Sequence, residues 1–431
     1  MKSALEFLVA AKRCEIHGLE QLAVTSQLVG SIGRLVHLLQ KERGASNIFL
    51  GSAGGRFAEQ RLRRAAESAE FEADVRARFD ELETGSDRLA GGVRLFSRIA
   101  YVLHGLDALP ELRARIAELA LPPAQATAAF TELIAGLLAV VFEAADTAND
   151  PVISRALVAL FNFMQGKELA GQERATGATA FAAGRADAAQ QQRQLHLIEA
   201  QDRCFQIFSD FSEGDILAYW RTVEACGEMA ELERLRRILC TAPAGGRLDA
   251  ELSDAWYDCC TRRIDGMKAV EDKLAASLQA LCATKSAEAQ ADLNDQKAFL
   301  DSLASGVPAP AASIAVFFDK PINGEAPQAL IAADGFGPQL ERSILDMVQA
   351  QSRRLQAMSD ELNAVRGALN ERKVIERAKG LLMAHKGLSE DQAYKLLRQT
   401  AMSQNRRLVE VAEATLSLAD FLPGTRSGRA G

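Results

Sequence analysis

Residues 32–50 read IGRLVHLLQKERGASNIFL, and the spacing of their side chains decides the fold class of the first part of the chain. A helix through this stretch has one face whose positions are separated by alternating steps of four and three. That face consists of Ile32, Val36, Leu39, Arg43, Ser46 and Leu50. The pattern predicts a buried helix that carries the Arg43 guanidinium into a core.

The helical pattern continues on both sides of this stretch. From about residue 18 to residue 300 the sequence is rich in Ala, Leu, Glu, Arg and Gln, so helix propensity and apolar spacing agree nearly everywhere. Turn residues divide the pattern into segments long enough for four-helix-bundle packing. The interruptions fall at 51–55, 85–87, 121–123, 149–151 and 242–246. We therefore predict an all-α protein with two four-helix bundles, a coiled-coil helix and a C-terminal three-helix bundle.

Composition limits the class of protein. The chain has 431 residues, of which 48% are hydrophobic and 25% charged, so it should form packed domains and not a disordered segment. Its net charge of -7 excludes a uniformly basic nucleic-acid coat. Seven cysteines without a CxxC pair fit a reducing cytoplasm. The apolar run 133–142 is far shorter than the roughly 18 residues of a spanning helix, and the N-terminal stretch is not typical of a signal peptide.

The composition also divides the chain into four parts. We predict a helical region over 18–300, a connector rich in Pro and Gly over 301–339, a coiled-coil helix over 340–370 and a small bundle over 371–422. The stretch SIAVFFD at 313–319 is a candidate short strand within the connector.

The predicted coiled-coil helix has apolar residues at alternating steps of four and three over nearly four heptads, interrupted by Gln351. A parallel homodimer is the favoured interpretation, although antiparallel or intramolecular pairing would give the same pattern. The predicted seam consists of Ile344, Val348, Leu355, Met358, Leu362 and Val365.

The last segment combines three short helices with a high positive charge. Gly387 is a predicted left-handed cap for the first helix, Ser389 opens the second and Asn405 the third. Residues 372–407 contain nine Lys or Arg against three acidic residues, which is typical of a protein that binds the phosphate backbone of a nucleic acid. The alternative is a solvated charged surface. Because only Tyr394 and Phe421 are aromatic here, we expect recognition of backbone or loop shape and not base stacking.

Several basic residues fall on predicted core faces. Arg263 lies on the inner stripe of a helix more than 200 residues after Arg43, and Lys167 and Arg174 share the inner face of a third helix. A buried cation requires an anion. One interpretation is internal pairing with nearby acids, and the other is that Arg43 and Arg263 converge on a small planar oxyanion. The candidate acids are Glu42, Glu168, Glu173 and Asp265.

No catalytic motif is present in the sequence. The five histidines are scattered, and neither a metal-ligand spacing nor a phosphate-binding loop occurs. The neighbouring Cys259 and Cys260 are expected to pack in the core. We therefore predict a protein that is not an enzyme and binds no metal or cofactor.

The segment 372–413, RKVIERAKGLLMAHKGLSEDQAYKLLRQTAMSQNRRLVEVAE, resembles the ANTAR domain, a three-helix RNA-binding module of bacterial antiterminators. The resemblance implies binding to paired RNA hairpins of a leader transcript by a dimer that the preceding coiled coil forms. The candidate RNA-binding residues are Arg372, Lys373, Arg377, Lys379, Lys386, Arg398, Asn405, Arg406 and Arg407.

The front half resembles the NIT domain, a nitrate- and nitrite-sensing pair of helical bundles. The resemblance rests on LLQKERGASNIFLGS at 38–52, GKELAGQERA at 166–175 and WYDCCTRRIDGMKAVE at 256–271. It implies that two arginines bind nitrate or nitrite. The candidate ligand residues are Arg43 and Arg263, with Arg174 and Arg262 as rivals for the second arginine and Ser46 as a further contact.

The two resemblances together imply a one-component regulator that senses nitrate or nitrite and causes transcription antitermination. The alternative is a helical protein-interaction scaffold, or a DNA-binding regulator, that senses no small anion.

Overall fold

The computed structural model describes residues 4–82, 92–185, 188–212, 214–225, 227–243, 245–304, 338–388, 390–404 and 406–419. Within these ranges the regular secondary structure is entirely helical, which confirms the all-α prediction. The helices are α1 (Ala4–Gly51), α2 (Ala58–Asp80), α3 (Gly92–Ala117), α4 (Pro123–Thr147), α5 (Pro151–Ala182), α6 (Ala188–Phe211), α7 (Gly214–Glu224), α8 (Gly227–Thr241), α9 (Leu252–Ala304), α10 (Pro338–Lys386), α11 (Glu390–Gln404) and α12 (Leu408–Ala419).

Helix ends coincide with the interruptions in the sequence pattern. The helix α1 ends at Gly51, α4 begins at Pro123 and α8 ends at Thr241. Asp150 caps α5, because its carboxylate accepts hydrogen bonds from two backbone N–H groups of the first turn. The predicted turn at 85–87 and the candidate strand at 313–319 lie outside the described residues.

The first nine helices form two apolar cores, a large one and a smaller one around Trp256 to which α5, α8 and α9 contribute. The helices α2 and α4 lie against α1, α3 lies against α4, and α6 and α9 both lie against α5. Leu35, Phe130, Phe163 and Met267 come from four of these helices and are almost fully buried in the large core. This cluster holds α1, α4, α5 and α9 together. Three buried arginines lie on these helices, Arg43 on α1, Arg174 on α5 and Arg263 on α9.

Two of the helices, α1 and α4, are long and apolar enough to span a membrane by length and composition. More than half of the apolar stretch of each is buried inside the fold, 56% in α1 and 61% in α4. Their apolar side chains therefore serve the protein core.

The helix α10 runs without a break from the predicted coiled coil into the C-terminal bundle and ends before Gly387, whose φ of 63° confirms the predicted left-handed cap. Two residues of its predicted seam pack within the chain, since Val365 is 1% exposed in the large core and Leu362 is also buried. Leu355, by contrast, is 55% exposed. The side chains of Ile344 and Val348 lie outside the described residues.

The end of α10 packs with α11 and α12 around a separate small core. This core includes Ala378, Leu382, Ala393, Leu397 and Val411. We refer to these three helical segments as the C-terminal module.

Candidate functional site

Arg43 lies on α1, as the sequence pattern predicts, and is 4% exposed. Both terminal nitrogens of its guanidinium donate hydrogen bonds to the carboxylate of Glu168 on α5, Nη1 to Oε1 at 2.6 Å and Nη2 to Oε2 at 3.1 Å. Nη1 also donates to the hydroxyl of Thr131 on α4 at 2.9 Å. The positive charge is therefore neutralised within the core.

Glu168 accepts two further hydrogen bonds. The side-chain amide of Gln40 donates at 2.7 Å and that of Gln172 at 2.9 Å. Together with the two bonds from Arg43 these donors surround both carboxylate oxygens, so the site already holds one planar anion, and that anion belongs to the protein.

A small cavity of about 50 Å³ lies beside this pair, and both Arg43 and Arg174 line it. Two glycines allow the guanidinium groups to approach the helix backbones closely. A Cβ on Gly171 would lie 3.0 Å from Nη2 of Arg43, and one on Gly44 would lie 3.4 Å from Nη2 of Arg174. The volume suits an ion of a few atoms.

Arg174 is held at the cavity by α9. Its Nη1 donates to the hydroxyl of Thr261 at 2.9 Å, and its guanidinium carbon lies 4.9 Å from the ring centroid of Tyr257. Arg43 and Arg174 both line the cavity, and guanidinium N–H groups are donors of the kind that an oxyanion accepts.

Arg263 lies elsewhere. Its Nη1 donates to the side-chain oxygen of Gln201 at 2.8 Å and lies 3.6 Å from Glu173, whose carboxylate also binds Arg236. Burial lowers the pKa of Arg263, and the neighbouring charge of Arg236 lowers it further. Of the predicted ligand arginines, Arg43 and Arg174 are among the described residues that line the cavity, and Arg263 is not.

The other predicted ligand residues are also placed. Ser46 is 2% exposed and lies on the same face of α1 as Arg43, but it is not among the described residues that line the cavity. Arg262 is exposed. Lys167, on the inner face of α5, pairs with Glu271 of α9 at 2.6 Å. That pair lies beside His37. Burial, together with the charge of Lys167, lowers the pKa of His37 to about 2. His37 is therefore neutral in the folded protein.

Basic residues of the C-terminal module are held by acids and polar groups of the first nine helices. Lys373 pairs with Asp146 at 2.7 Å, and Arg372 donates to the side-chain oxygen of Asn162 at 3.1 Å. The guanidinium carbon of Arg372 lies 4.8 Å from the ring centroid of Phe161. These contacts fix the start of the module on α4 and α5.

A second set of contacts holds α11. Arg398 pairs with Glu199 of α6 at 2.6 Å. Three other predicted RNA-binding residues pair inside the module, Lys379 with Glu376, Arg406 with Glu410 and Arg407 with Glu371. Arg377 and Lys386 are exposed, and Asn405 lies outside the described residues.

The sequence analysis did not identify Asp146, Asn162 or Glu199 as partners of the basic module. Each lies on a helix that is distant in sequence, and an acidic or polar residue on a helix surface has no pattern that shows its partner. Among the described residues, no group of three His, Cys, Asp or Glu side chains is placed to hold a metal ion.

Comparison with known families accounts for both parts of the molecule. The family model for nitrate and nitrite sensing, NIT, matches residues 34–279, which include Arg43, Arg174 and the cavity between them. The chain belongs to the NIT family. An ANTAR domain matches residues 363–416, so the C-terminal module is an ANTAR domain attached to a NIT domain.

Two known proteins match nearly the full length of the chain, and a third matches a short part of it. The chain is 34% identical to the nitrate regulatory protein of Klebsiella oxytoca over 421 residues, which cover 96% of this chain and 95% of that protein. The solved structure of the NasR transcription antiterminator matches with a TM-score of 0.58 and 31% identity, over 97% of this chain and 99% of that one. The transcriptional regulatory protein PdtaR of Mycobacterium tuberculosis is 32% identical over 72 residues, 17% of this chain and 35% of that protein.

Proposed function

We propose that the chain is a cytoplasmic, nitrate- or nitrite-responsive regulator that binds leader RNA hairpins and causes transcription antitermination. One observation carries this proposal: the NIT domain, which contains a cavity between two buried arginines, also holds basic residues of the ANTAR domain. The likeness to a nitrate regulatory protein and to a transcription antiterminator supports it. The anion is the ligand, and the proposed function needs neither a cofactor nor a catalytic step.

The proposed ligand site is the cavity between Arg43 and Arg174. Nitrate is planar, and its oxygens can accept hydrogen bonds from two guanidinium groups in the manner of a carboxylate. Glu168 is the internal competitor, because it already accepts two hydrogen bonds from Arg43. Entry of the anion should therefore weaken the bond between α1 and α5.

Two helices connect the ligand site with the ANTAR domain. Thr131 of α4 binds Arg43, and Asp146, four turns further along the same helix, binds Lys373. On α5, Glu168 lies at the ligand site, and Asn162, less than two turns away, binds Arg372. A ligand shifts the equilibrium only by its differential affinity for two states. The proposed states differ in how α4 and α5 are positioned around the arginines.

Release would make both the basic residues and the seam available. Arg372, Lys373 and Arg398 would exchange their protein partners for RNA phosphates. Leu362 and Val365 would leave the core and complete the seam for a parallel homodimer with a second copy of the chain.

A binding assay with the full chain tests the proposal. Nitrate should strengthen binding to a leader hairpin RNA and should raise the unfolding temperature, since a ligand at a hundredfold excess over Kd stabilises the folded protein by about 2.7 kcal/mol. Chloride at equal ionic strength is the control. The proposed function would be contradicted if neither RNA binding nor the unfolding temperature changed on addition of nitrate or nitrite.

A further inference from the structure

A cleft of about 600 Å³ is lined by residues of α6 in the NIT domain and by residues of the ANTAR domain. The ANTAR side presents Tyr394, Arg398 and Met402, which follow one another at steps of four along α11 and so share one face. We call these three residues the α11 ridge. The NIT side presents Glu199 and Arg203.

Tyr394 is buried, but the ANTAR core does not account for its burial. It is 9% exposed, and it is absent from the apolar cluster that the described residues of the ANTAR domain form around Ala393 and Leu397. Its ring contacts come from α6, since His196 lies edge-on at 5.3 Å between centroids and the Arg203 guanidinium carbon lies 4.8 Å from the ring centroid. Undocking of the ANTAR domain would therefore expose an aromatic ring.

The two groups of α6 that contact the α11 ridge resemble the two parts of a nucleotide, its base and its phosphate. Arg203 places a flat, delocalised group against the ring of Tyr394, as a nucleobase does when it stacks on an aromatic side chain. One turn further along, Glu199 presents an anionic oxygen to Arg398 at 2.6 Å, as a phosphate would. Met402 continues the ridge and is 71% exposed.

We propose that Tyr394 stacks on an unpaired base of the RNA loop while Arg398 binds the adjoining phosphate, and that Arg203 and Glu199 occupy these two positions in the docked state. This inference rests on the proposed RNA-binding function. It assigns to Tyr394 a role that the low aromatic content of the segment argued against. A single ring is sufficient, because one stacked base requires one aromatic face.

The experiment separates RNA binding from docking by means of a double variant of the NIT domain. Glu199→Gln with Arg203→Ala removes both groups that occupy the ridge and leaves the ANTAR sequence intact. Binding of a loop-bearing hairpin RNA to the full chain is measured for this released background and for the unaltered chain. Tyr394→Leu and Tyr394→Phe are then introduced into each.

In the released background, Tyr394→Leu should weaken RNA binding by roughly 5- to 150-fold, the range for loss of one base stack. Tyr394→Phe keeps the ring and should bind within about twofold of the parent. Arg398→Gln should lower the salt dependence of binding by about one phosphate contact, whereas Tyr394→Leu should leave that dependence unchanged. An unfolding midpoint for Tyr394→Leu equal to that of Tyr394→Phe shows that the ANTAR domain is folded.

A purely structural role in docking gives a different pattern. Tyr394→Leu would then tighten RNA binding by the unaltered chain and have no effect in the released background, and this result would overturn the inference while leaving the proposed function intact. Failure of the released variant to bind hairpin RNA, even when Asp146→Asn also removes the charge that holds Lys373, would overturn both.

Discussion

The carboxylate of Glu168 binds both terminal nitrogens of Arg43, at 2.6 and 3.1 Å, beside the cavity that Arg43 and Arg174 line. A proposed sensor of a planar anion thus contains a planar anion of its own. The buried arginine is stable without ligand, and a ligand must offer more than Glu168 already provides.

Removal of the charge of Glu168 should strengthen nitrate binding. Glu168→Gln leaves Arg43 without its counter-ion, which should destabilise the ligand-free protein by about 3 kcal/mol and raise nitrate affinity at least about tenfold. Urea unfolding with and without nitrate measures both effects. Glu271→Gln, which breaks the buried pair with Lys167 instead, is the matched control. Its stability should fall without any gain from nitrate, and equal rescue of both variants by nitrate would contradict the proposed site.

The identity of the second arginine can be decided by two substitutions. Arg174→Gln removes a guanidinium that lines the cavity, so the nitrate-dependent rise in unfolding temperature should disappear. Arg263→Gln changes a group that binds Gln201 and Glu173, so its nitrate response should remain. The opposite result would assign the ligand to Arg263, as the sequence analysis first suggested.

The close approach of Arg43 to the α5 backbone requires a glycine. In Gly171→Ala the new Cβ would lie 3.0 Å from Nη2 of Arg43 and would take up part of the cavity. Alanine is about 1 kcal/mol more favourable than glycine inside a helix, so the variant should fold well. Isothermal titration should nevertheless show nitrate affinity reduced by at least about tenfold. Unchanged affinity would mean that the ligand does not enter beside Gly171.

Docking of the ANTAR domain should depend on Asp146. Asp146→Asn removes the charge that holds Lys373 at 2.7 Å, so RNA binding without nitrate should rise by about five- to tenfold. Asp107→Asn is the control, because Asp107 pairs with Arg76 on α2 within the NIT domain. Hairpin binding by gel shift at fixed salt compares the two. Equal effects of both substitutions would show that the gain comes from net charge alone.

Acid should destabilise the protein through His37. The folded chain holds the pKa of His37 at about 2, below its ordinary value of 6.5, by burial and by the charge of Lys167. Between these values the unfolded chain binds a proton that the folded chain does not, so stability falls as the pH falls below about 6.5. From pH 7 to pH 5 the His37 contribution amounts to about 2 kcal/mol. Between pH 7 and pH 5 the free energy of unfolding of His37→Gln should therefore fall by about 2 kcal/mol less than that of the unaltered chain. Equal dependence on pH in the two proteins would show that His37 is not responsible.

Local patterns predicted the helices and the burial of single residues. The stripe through Arg43 placed its guanidinium in the core, and Pro123, Pro151 and Gly387 mark helix ends because their backbone preferences act locally. The partner of Arg43 was among several candidate acids, since any of them could have reached it.

Contacts between distant helices could not be predicted in the same way. The inner stripe identifies Arg263 as buried but contains no information about which buried arginine faces Arg43, because that depends on the rotation of α9 against α5. Of the predicted seam of α10, Val365 packs into the core of its own chain, whereas Leu355 is exposed. An apolar stripe has the same sequence whether its partner is the same chain or another copy.

The helix α10 runs without interruption from Pro338 to Lys386 and so connects the predicted coiled coil rigidly to the ANTAR domain. Each residue of an α-helix adds about 100° of rotation and about 1.5 Å of length. The number of residues in α10 therefore sets the orientation of the ANTAR domain relative to the first turns of this helix. A rotation of α10 about its axis near Leu362 and Val365 would therefore also change the orientation of the ANTAR domain at its end.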